Sequence, residues 1–321
     1  MAKVFVTGAN GFTGSHLVKY LLARGDQVLG LMRRSSNHQR LESCDLERIY
    51  GDITDRAIIE AALEGVEIVF HTAAYVELGL VDATEMARVN VDGTLTLLEA
   101  AQQAGVKRFV YCSTIGVLGD TAGQVVTETF QRQQAGFSSA YDRTKYEAQQ
   151  LVDQAAQAGL ATVSLLPGGI FGADDPHFGP VVQLYLRRRL WVLPGGDRQT
   201  GIVHVDDLVE ALCLAAERGT PGGRYIIIAG ELTLREMFMI LAEQTGIAVP
   251  KEPPQALVRL LGNILDPLGR LTGWNPPLSR ERVHYLYDRC VRVDASKARQ
   301  ELGWQPRSVR ELLNSLLADC P

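Results

Sequence analysis

A doubly wound α/β fold, with helices on both faces of a parallel sheet and a smaller region after it, is what the sequence predicts. Three observations carry this. Short apolar runs alternate with longer segments of helical periodicity through the first two-thirds of the chain. The runs VFV, VLGLM, IVF, FVY and VSLL are almost continuously apolar, as strands covered on both faces require. A glycine-rich turn joins the first run to the first helical segment. Strand and helix in alternation build right-handed βαβ units, hence a parallel sheet.

Taken in order, Val4–Val6 reads as a strand and Phe12–Ala23 as a helix ending at Arg24-Gly25. Gln27–Met32 is a strand followed by a polar loop, Arg33–Arg40. Leu46–Tyr50 is a weaker strand, and Asp55–Glu64 a helix closed by Gly65. Glu67–His71 is a strand, Ala83–Ala104 a long helix stopped by Gly105, and Arg108–Cys112 a strand. Ser139–Ala158 is a helix and Thr162–Leu166 a strand ended by Pro167. Glycine and proline then concentrate up to Gly201, so the chain divides into a first domain, 1–166, and a mainly substrate-binding region, 167–321, with segments near 200–230 returning to the first. In that second region Ile202–Val205 and Arg224–Ala229 read as strands, Asp206–Arg218 as a helix capped by Asp206, and Thr233–Thr245 and Val309–Leu317 as helices. The amphipathic stretch LVRLLGNIL, inside a proline-punctuated segment from Pro250 to Pro277, reads as a lid or packing helix, with a membrane surface as the alternative contact.

Composition narrows the classes. With 46% apolar and 21% charged residues over 321, the chain buries a core without disulfides or metal. A net charge of −5 argues against a nucleic-acid binder. Five scattered cysteines (44, 112, 213, 290 and 320) lack any CxxC pair or zinc-ligand spacing, so reduced thiols are expected. No run of about 18 apolar residues reads as a membrane span, and the Met-Ala-Lys start runs directly into a strand without a leader pattern. A cytoplasmic protein is the expectation.

The turn reads Thr7-Gly8-Ala9-Asn10-Gly11-Phe12-Thr13-Gly14. Between strand and helix it is the context of a dinucleotide fingerprint, with GxxGxxG spacing, which makes the fold Rossmann-type. Gly8 permits the tight turn, Gly11 lets the backbone approach a pyrophosphate, and Gly14 lets helix pack closely on sheet. The helix start offers free N–H groups to phosphate. An NAD site places an acid near the end of the second strand. Here Gln27–Arg40 contains none and the strand ends Met32-Arg33-Arg34-Ser35-Ser36, a set suited to a 2′-phosphate. NADP(H) is therefore expected over NAD(H), with Arg33 the partner; a solvated basic loop is the plainer alternative.

Tyr141 and Lys145 lie four residues apart, on one face of the Ser139–Ala158 helix. A phenol titrates near ~10, and a neighbouring ammonium would lower it towards the working range of an acid/base. Ser113-Thr114 ends the fifth strand at the sheet edge that also carries the glycine turn.

The chain resembles the extended branch of the short-chain dehydrogenase/reductase superfamily. In the family's order stand TGANGFTG, Gly51-Asp52-Ile53, His71-Thr72-Ala73-Ala74, Asn90-Val91-Asp92-Gly93-Thr94, Tyr111-Cys112-Ser113-Thr114 and Tyr141-Asp142-Arg143-Thr144-Lys145. Pro167-Gly168-Gly169-Ile170-Phe171-Gly172, Val203-His204-Val205-Asp206-Asp207 and Asp294-Ala295-Ser296-Lys297-Ala298 follow, so the likeness spans the chain. It implies that Tyr141 is the catalytic acid/base, that Lys145 binds the nicotinamide ribose and lowers the Tyr141 pKa, and that Thr114 hydrogen-bonds the reacting oxygen. It implies further that Asp52 and Ile53 flank the adenine, that Ala73 and Ala74 line the cofactor trough, and that Asn90 supports it. Asn10, Phe12 and Pro167 complete the cofactor-binding set. His204 and Asp206 are read as architecture.

That branch holds sugar-nucleotide epimerases and dehydratases, and reductases like dihydroflavonol 4-reductase and 3β-hydroxysteroid dehydrogenase. Leu166 and Gly169 stand where sugar-nucleotide enzymes carry Arg and Asn, and Thr200-Gly201 where they carry an arginine that Arg198 could replace. The loop Tyr75–Val81 is largely apolar. A weakly polar pocket suits a lipophilic carbonyl, so a dihydroflavonol 4-reductase-like NADPH reductase is expected. A sugar-nucleotide epimerase or dehydratase, as in the similar sugar epimerases of hopanoid clusters, is the alternative, and an NADPH-sensing protein a third. The partner is a small molecule. A homodimer through the Ala83–Ala104 and Tyr141 helices is conceivable, although Val89, Leu97 and Leu98 could equally face the sheet.

Overall fold

The computed structural model describes residues 1–318; Cys320 lies outside them. Seven strands form one wholly parallel sheet: β1 (Lys3–Thr7), β2 (Gln27–Met32), β3 (Glu47–Tyr50), β4 (Ile68–His71), β5 (Arg108–Cys112), β7 (Thr162–Pro167) and β10 (Gly223–Ile227), in the order β10-β7-β5-β4-β1-β2-β3. The chain leaves β1 towards β2 and β3, then returns to the other side of β1 with β4. The carboxyl ends of β1 and β4 thus flank the crevice where doubly wound sheets bind ligands. The fold is Rossmann-like α/β, as the apolar runs predict.

Helices α1 (Phe12–Ala23) and α7 (Val205–Arg218) cover one face. On the other lie α2 (Arg56–Ala62), the broken helix α3 (Ala83–Ala87) and α4 (Gly93–Gln103), and α5 (Ala140–Gln157). Leu97 and Leu98 are buried in the sheet-facing core. The expected single helix from Ala83 to Ala104 is interrupted by a π turn, Arg88–Asp92. Asp206 is not a cap: His204 stands at the N-cap of α7 and its ring accepts from the Asp206 N–H, while the Asp206 carboxylate meets His16.

The glycine-rich stretch read as loop contains structure of its own. β8 (Gly169–Phe171), β9 (Gln199–His204) and β11 (Gly230–Thr233) form a second small sheet, and β6 (Val125–Val126) pairs with β12 (Arg292–Val293). Helices α6 (Gly179–Leu186), α8 (Leu234–Thr245), α9 (Gln255–Thr272), α10 (Arg280–Tyr287) and α11 (Val309–Ala318) complete the chain. Alternation fails to reveal β8 because Gly168 and Gly201 lie so close that a Cβ on Gly168 would sit 2.2 Å from the Gly201 carbonyl oxygen.

Candidate functional site

The glycine turn is built by contact. Gly8 has φ +66°, and a Cβ there would sit 2.8 Å from Ala73 Cα and 2.9 Å from Ala73 N. A Cβ on Gly14 would lie 2.1 Å from the Gly8 carbonyl oxygen, so α1 begins hard against the turn. Gly11 donates its N–H to Gly8 O at 2.9 Å and is the N-cap of α1 without any side-chain cap or first-turn acid. The N–H groups and positive dipole end of α1 are therefore left to an anion. Asn10 binds the Asn37 carbonyl, tying the turn to the loop after β2, and Phe12 packs edge-on to His16.

Hydrogen bonds stitch the ends of β1 and β4. Thr7 Oγ1 meets His71 Nδ1 at 2.8 Å and accepts the Ala73 N–H at 3.2 Å, while His71 Nε2 meets Thr94 Oγ1 at 2.9 Å. Burial, then Lys145, lowers the His71 pKa to about 3, so the ring is neutral. Asn90, set by the π turn, accepts from the Tyr75 N–H at 2.7 Å and donates to Tyr75 O and to Thr144 Oγ1 on α5. It clamps the Ala73–Tyr75 segment to the helix that carries Tyr141.

Thr114 follows β5 and accepts from the Gly116 N–H at 3.1 Å, and its side chain is among the groups that act on the Tyr141 hydroxyl. Lys145 is buried, donates to Cys112 O at 2.8 Å and lies 4.3 Å from the centroid of the Tyr111 ring. Burial lowers its pKa to about 8. One expectation is corrected here. Loss of water around the hydroxyl end raises the Tyr141 pKa, and Asp142 and Cys112 raise it further. Arg289 and Thr114 oppose this without reversing it. The Lys145 ammonium is engaged by the Cys112 carbonyl instead, so with the chain's own groups alone the phenol stays protonated.

The remaining positions spread along the same edge. The Asp52 carboxylate is held by Arg88 at 2.9 and 3.0 Å and by Thr54, which drives its pKa far down, and Ile53 packs against Gly93. Arg33 is exposed at the end of β2 and Arg34 stacks 4.8 Å over Tyr50. Pro167 is buried at the end of β7.

The sequence reading missed a cluster beside Tyr141. Asp142 is buried, accepts from Tyr285 at 2.5 Å and pairs with Arg289 at 3.3 Å. Arg198 donates to the Tyr285 carbonyl, and its pKa is pushed down to about 10 by burial and then by Arg289. Arg132 stacks over Phe137 and Tyr146. Arg132 Nη1, Arg198 Nε and Arg289 Nε are buried without partners among the described residues. The surroundings of Asp142 are thus more cationic than the apolar Tyr75–Val81 loop suggests. No spacing in the sequence points to it.

Residues 4–228 match the profile of the NAD dependent epimerase/dehydratase family. The chain belongs to that family. Sterol demethylase protein B of Methylococcus capsulatus is 35% identical over 315 residues, covering 95% of this chain and 94% of that protein. A 4-hydroxy-2-methyl-3-oxo-4-farnesyl-3,4-dihydroquinoline-1-oxide ketoreductase of Stigmatella aurantiaca is 35% identical over 317 residues, covering 95% and 92%. Among solved structures, a UDP-glucose 4-epimerase of Thermotoga maritima with UDP-glucose superposes with a TM-score of 0.81 at 26% identity, covering 99% of this chain and 98% of that one. The family and its relatives make this an oxidoreductase fold of the extended short-chain type.

Proposed function

We propose that the protein uses NADP(H) to reduce the carbonyl of a small, fairly apolar molecule to the alcohol, with Tyr141 as proton donor. What supports the reading is that Lys145 donates to the Cys112 carbonyl at the end of β5, that Thr114 follows the same strand, and that Tyr141 stands one turn before Lys145 on α5, at the sheet edge that also carries the Gly8–Ala73 cradle. That cradle fits a dinucleotide, since a side chain at Gly8 or Gly14 would fill it with backbone collisions. Gly8, Asn10, Gly11, Phe12 and Gly14 would hold the pyrophosphate, Arg33 the 2′-phosphate, Asp52 and Ile53 the adenine side, and Ala73, Ala74, Asn90, Lys145 and Pro167 the nicotinamide side. In this division residues 1–166 carry the cofactor and 167–321 mainly the substrate. The bound dinucleotide would supply a hydride. Thr114 and Tyr141 donate hydrogen bonds to the carbonyl oxygen, and the Tyr141 proton then passes to that oxygen as it gains charge. The sterol and farnesylated-quinoline names of two relatives support a lipophilic substrate.

The test is NADPH oxidation against a panel of apolar ketones. Tyr141→Phe should lower kcat/KM by about 10²–10⁴-fold while leaving dinucleotide affinity unchanged. Full turnover in that variant would remove the mechanism.

A second reading, a sugar-nucleotide epimerase or dehydratase, is favoured by the arginine cluster of Arg132, Arg198 and Arg289, which keeps three buried guanidinium nitrogens without partners among the described residues although Asp142 and Asp120 lie alongside. Guanidinium groups with unused buried donors suit a phosphate. Redox-neutral conversion of a nucleotide sugar by protein purified with bound NAD would decide for it.

A further inference from the structure

We propose that the outer face of α9, with the adjoining Trp191 loop, docks the protein on the headgroup region of an anionic lipid bilayer. The buried residues of α9 are Val258, Gly262, Asp266 and Gly269, which fall on one stripe. Glycine is needed twice there. A Cβ on Gly262 would lie 2.7 Å from Val283 of α10, and one on Gly269 would lie 2.5 Å from Trp274 O and 2.7 Å from Leu80. Of its seven leucine and isoleucine side chains only Leu265 is half-buried; Leu257, Leu260, Leu261, Ile264, Leu268 and Leu271 are exposed, Leu271 at 85%. At 3.6 residues per turn their arc is centred about 140° around the axis from the buried stripe. A surface helix ordinarily turns its leucines to the core. This one is inverted, and with Trp274 it presents on the order of 600 Å² of apolar surface, as large as the biggest patch of an ordinary monomer.

Charge identifies the occupant. Trp191, 77% exposed, and Val192 sit beside the approach to α9, because Lys251 donates its N–H to Trp191 O at 2.8 Å and Val192 bridges Lys251. Arg187, Arg188 and Arg189 lead into Trp191 and are exposed. Neither they nor Lys251 have an acidic partner among the described residues. The one acid of α9, Asp266, is buried and paired with Arg270. Glu252 is held by Arg235, and Asp288 by Arg259. An apolar arc with tryptophans near both ends and unpaired cations at its rim matches lipid phosphates above an acyl boundary. Self-pairing of the face would instead bring cations together without acids. Among the described residues no helix is long and apolar enough to cross a membrane, so the contact is in the surface plane.

The site gains from this placement. Leu80 packs at Gly269 and its N–H is held by Asn275 Oδ1 at 3.0 Å, so α9 flanks the apolar Tyr75–Val81 loop. Delivery of an apolar carbonyl from the bilayer rests on the proposed reductase reading; the docking itself does not.

The experiment is co-sedimentation of the full chain with vesicles of phosphatidylcholine alone or mixed with phosphatidylglycerol, at low and high salt. Binding to the mixed vesicles is expected, weakened by salt and by removing the anionic lipid. Arg187→Ala/Arg189→Ala/Lys251→Ala should weaken it about 100-fold. Leu260→Gln/Ile264→Gln/Leu268→Gln should also abolish it, with melting temperature and turnover of a water-soluble ketone unchanged. Absence of binding, or equal binding to both vesicle types, would overturn the proposal. So would a dimer in solution that the leucine variant dissociates, which would assign the face to a second copy. Vesicle binding by a protein inert towards every carbonyl would leave the docking standing and remove the reductase reading.

Discussion

Three alanine substitutions in the glycine turn should separate what the fold demands from what a ligand demands. At Gly14 the new Cβ would be 2.1 Å from the Gly8 carbonyl oxygen, nearly 1 Å inside any tolerated contact, and both atoms belong to backbone held by β1 and α1. Relief requires moving the helix off the sheet, at or above the ~3 kcal/mol upper end of overpacking, or a melting-temperature loss of at least about 4–5 °C in a chain of this length. At Gly8 the left-handed backbone costs an L-residue about 1–2 kcal/mol, and the 2.8 Å approach to Ala73 adds about 1–2 more. Gly11 differs: its φ of −70° is open to any residue, and its only close neighbour is Gly8 O at 3.1 Å. Gly11→Ala should therefore melt within about 3 °C of wild type. The extra methyl stands where a pyrophosphate would approach the free N–H groups of α1, so dinucleotide affinity should fall about 10–100-fold, a penalty of about 1.4–2.8 kcal/mol. Thermal melts followed by circular dichroism, paired with calorimetric titration of NADPH, measure both quantities. Wild-type affinity in Gly11→Ala, or an unshifted melt in Gly14→Ala, would refute the assignment of roles.

Other expectations follow from the charged and titrating groups. Lys145 has its pKa lowered to about 8 by burial, so between that value and 10.5 it loses a proton that an exposed lysine would keep. NADPH affinity measured across this window should be flat below pH 8 and fall above it, and Lys145→Met should be weak and flat throughout. His71 is held neutral down to about pH 3. The unfolded chain binds a proton near pH 6.5 that the folded one refuses, so stability is intact above 6.5 and falls as pH drops towards 3, by up to about 1.4 kcal/mol per unit. Urea melts of His71→Gln should lack that component of the slope; an unchanged slope would show that the ring protonates in the native state. Arg33→Ala should cut the NADPH-over-NADH preference about 10–100-fold, the value of a charged hydrogen bond, in competitive binding assays.

The parallel sheet was legible because each of its central strands is buried on both faces, which forces apolar runs such as Val4–Val6 and, broken only by the buried Ser164, Val163–Leu166. The glycine turn was legible for a related reason: backbone contact leaves no latitude at Gly8 and Gly14. Features that arise only when distant segments meet were not. The π turn at Arg88–Asp92 makes sense only in three dimensions, where Asn90 reaches both Tyr75 and Thr144. Arg132, Arg198 and Arg289 come from three separate stretches, and no spacing rule links them to Asp142. α9 defeats pattern reading in the opposite way. Its leucine stripe implies a core, whereas the small residues Gly262 and Gly269 decide which face can approach α10.

The state of Tyr141 bears on the direction of the proposed reaction. A phenol pulled down by a cation is ready to accept a proton from an alcohol, whereas one pushed up by desolvation and by Asp142 holds its proton until an oxyanion forms beside it. In the proposed reaction Thr114 would orient that oxygen, while Lys145 is turned to Cys112 O and the Tyr111 ring. In that reaction the phenol would act first as an acid, which is the requirement of carbonyl reduction. Asp142 is the lever: its buried carboxylate opposes ionisation of the adjacent phenol, while Arg289 and Tyr285 keep it in place. Asp142→Asn keeps the hydrogen-bonding shape and removes the charge. If the reasoning holds, the alkaline limb of alcohol oxidation moves to lower pH in that variant while ketone reduction near neutrality slows. A pH–rate profile unmoved in both directions would show that the charge next to Tyr141 does not set its proton affinity.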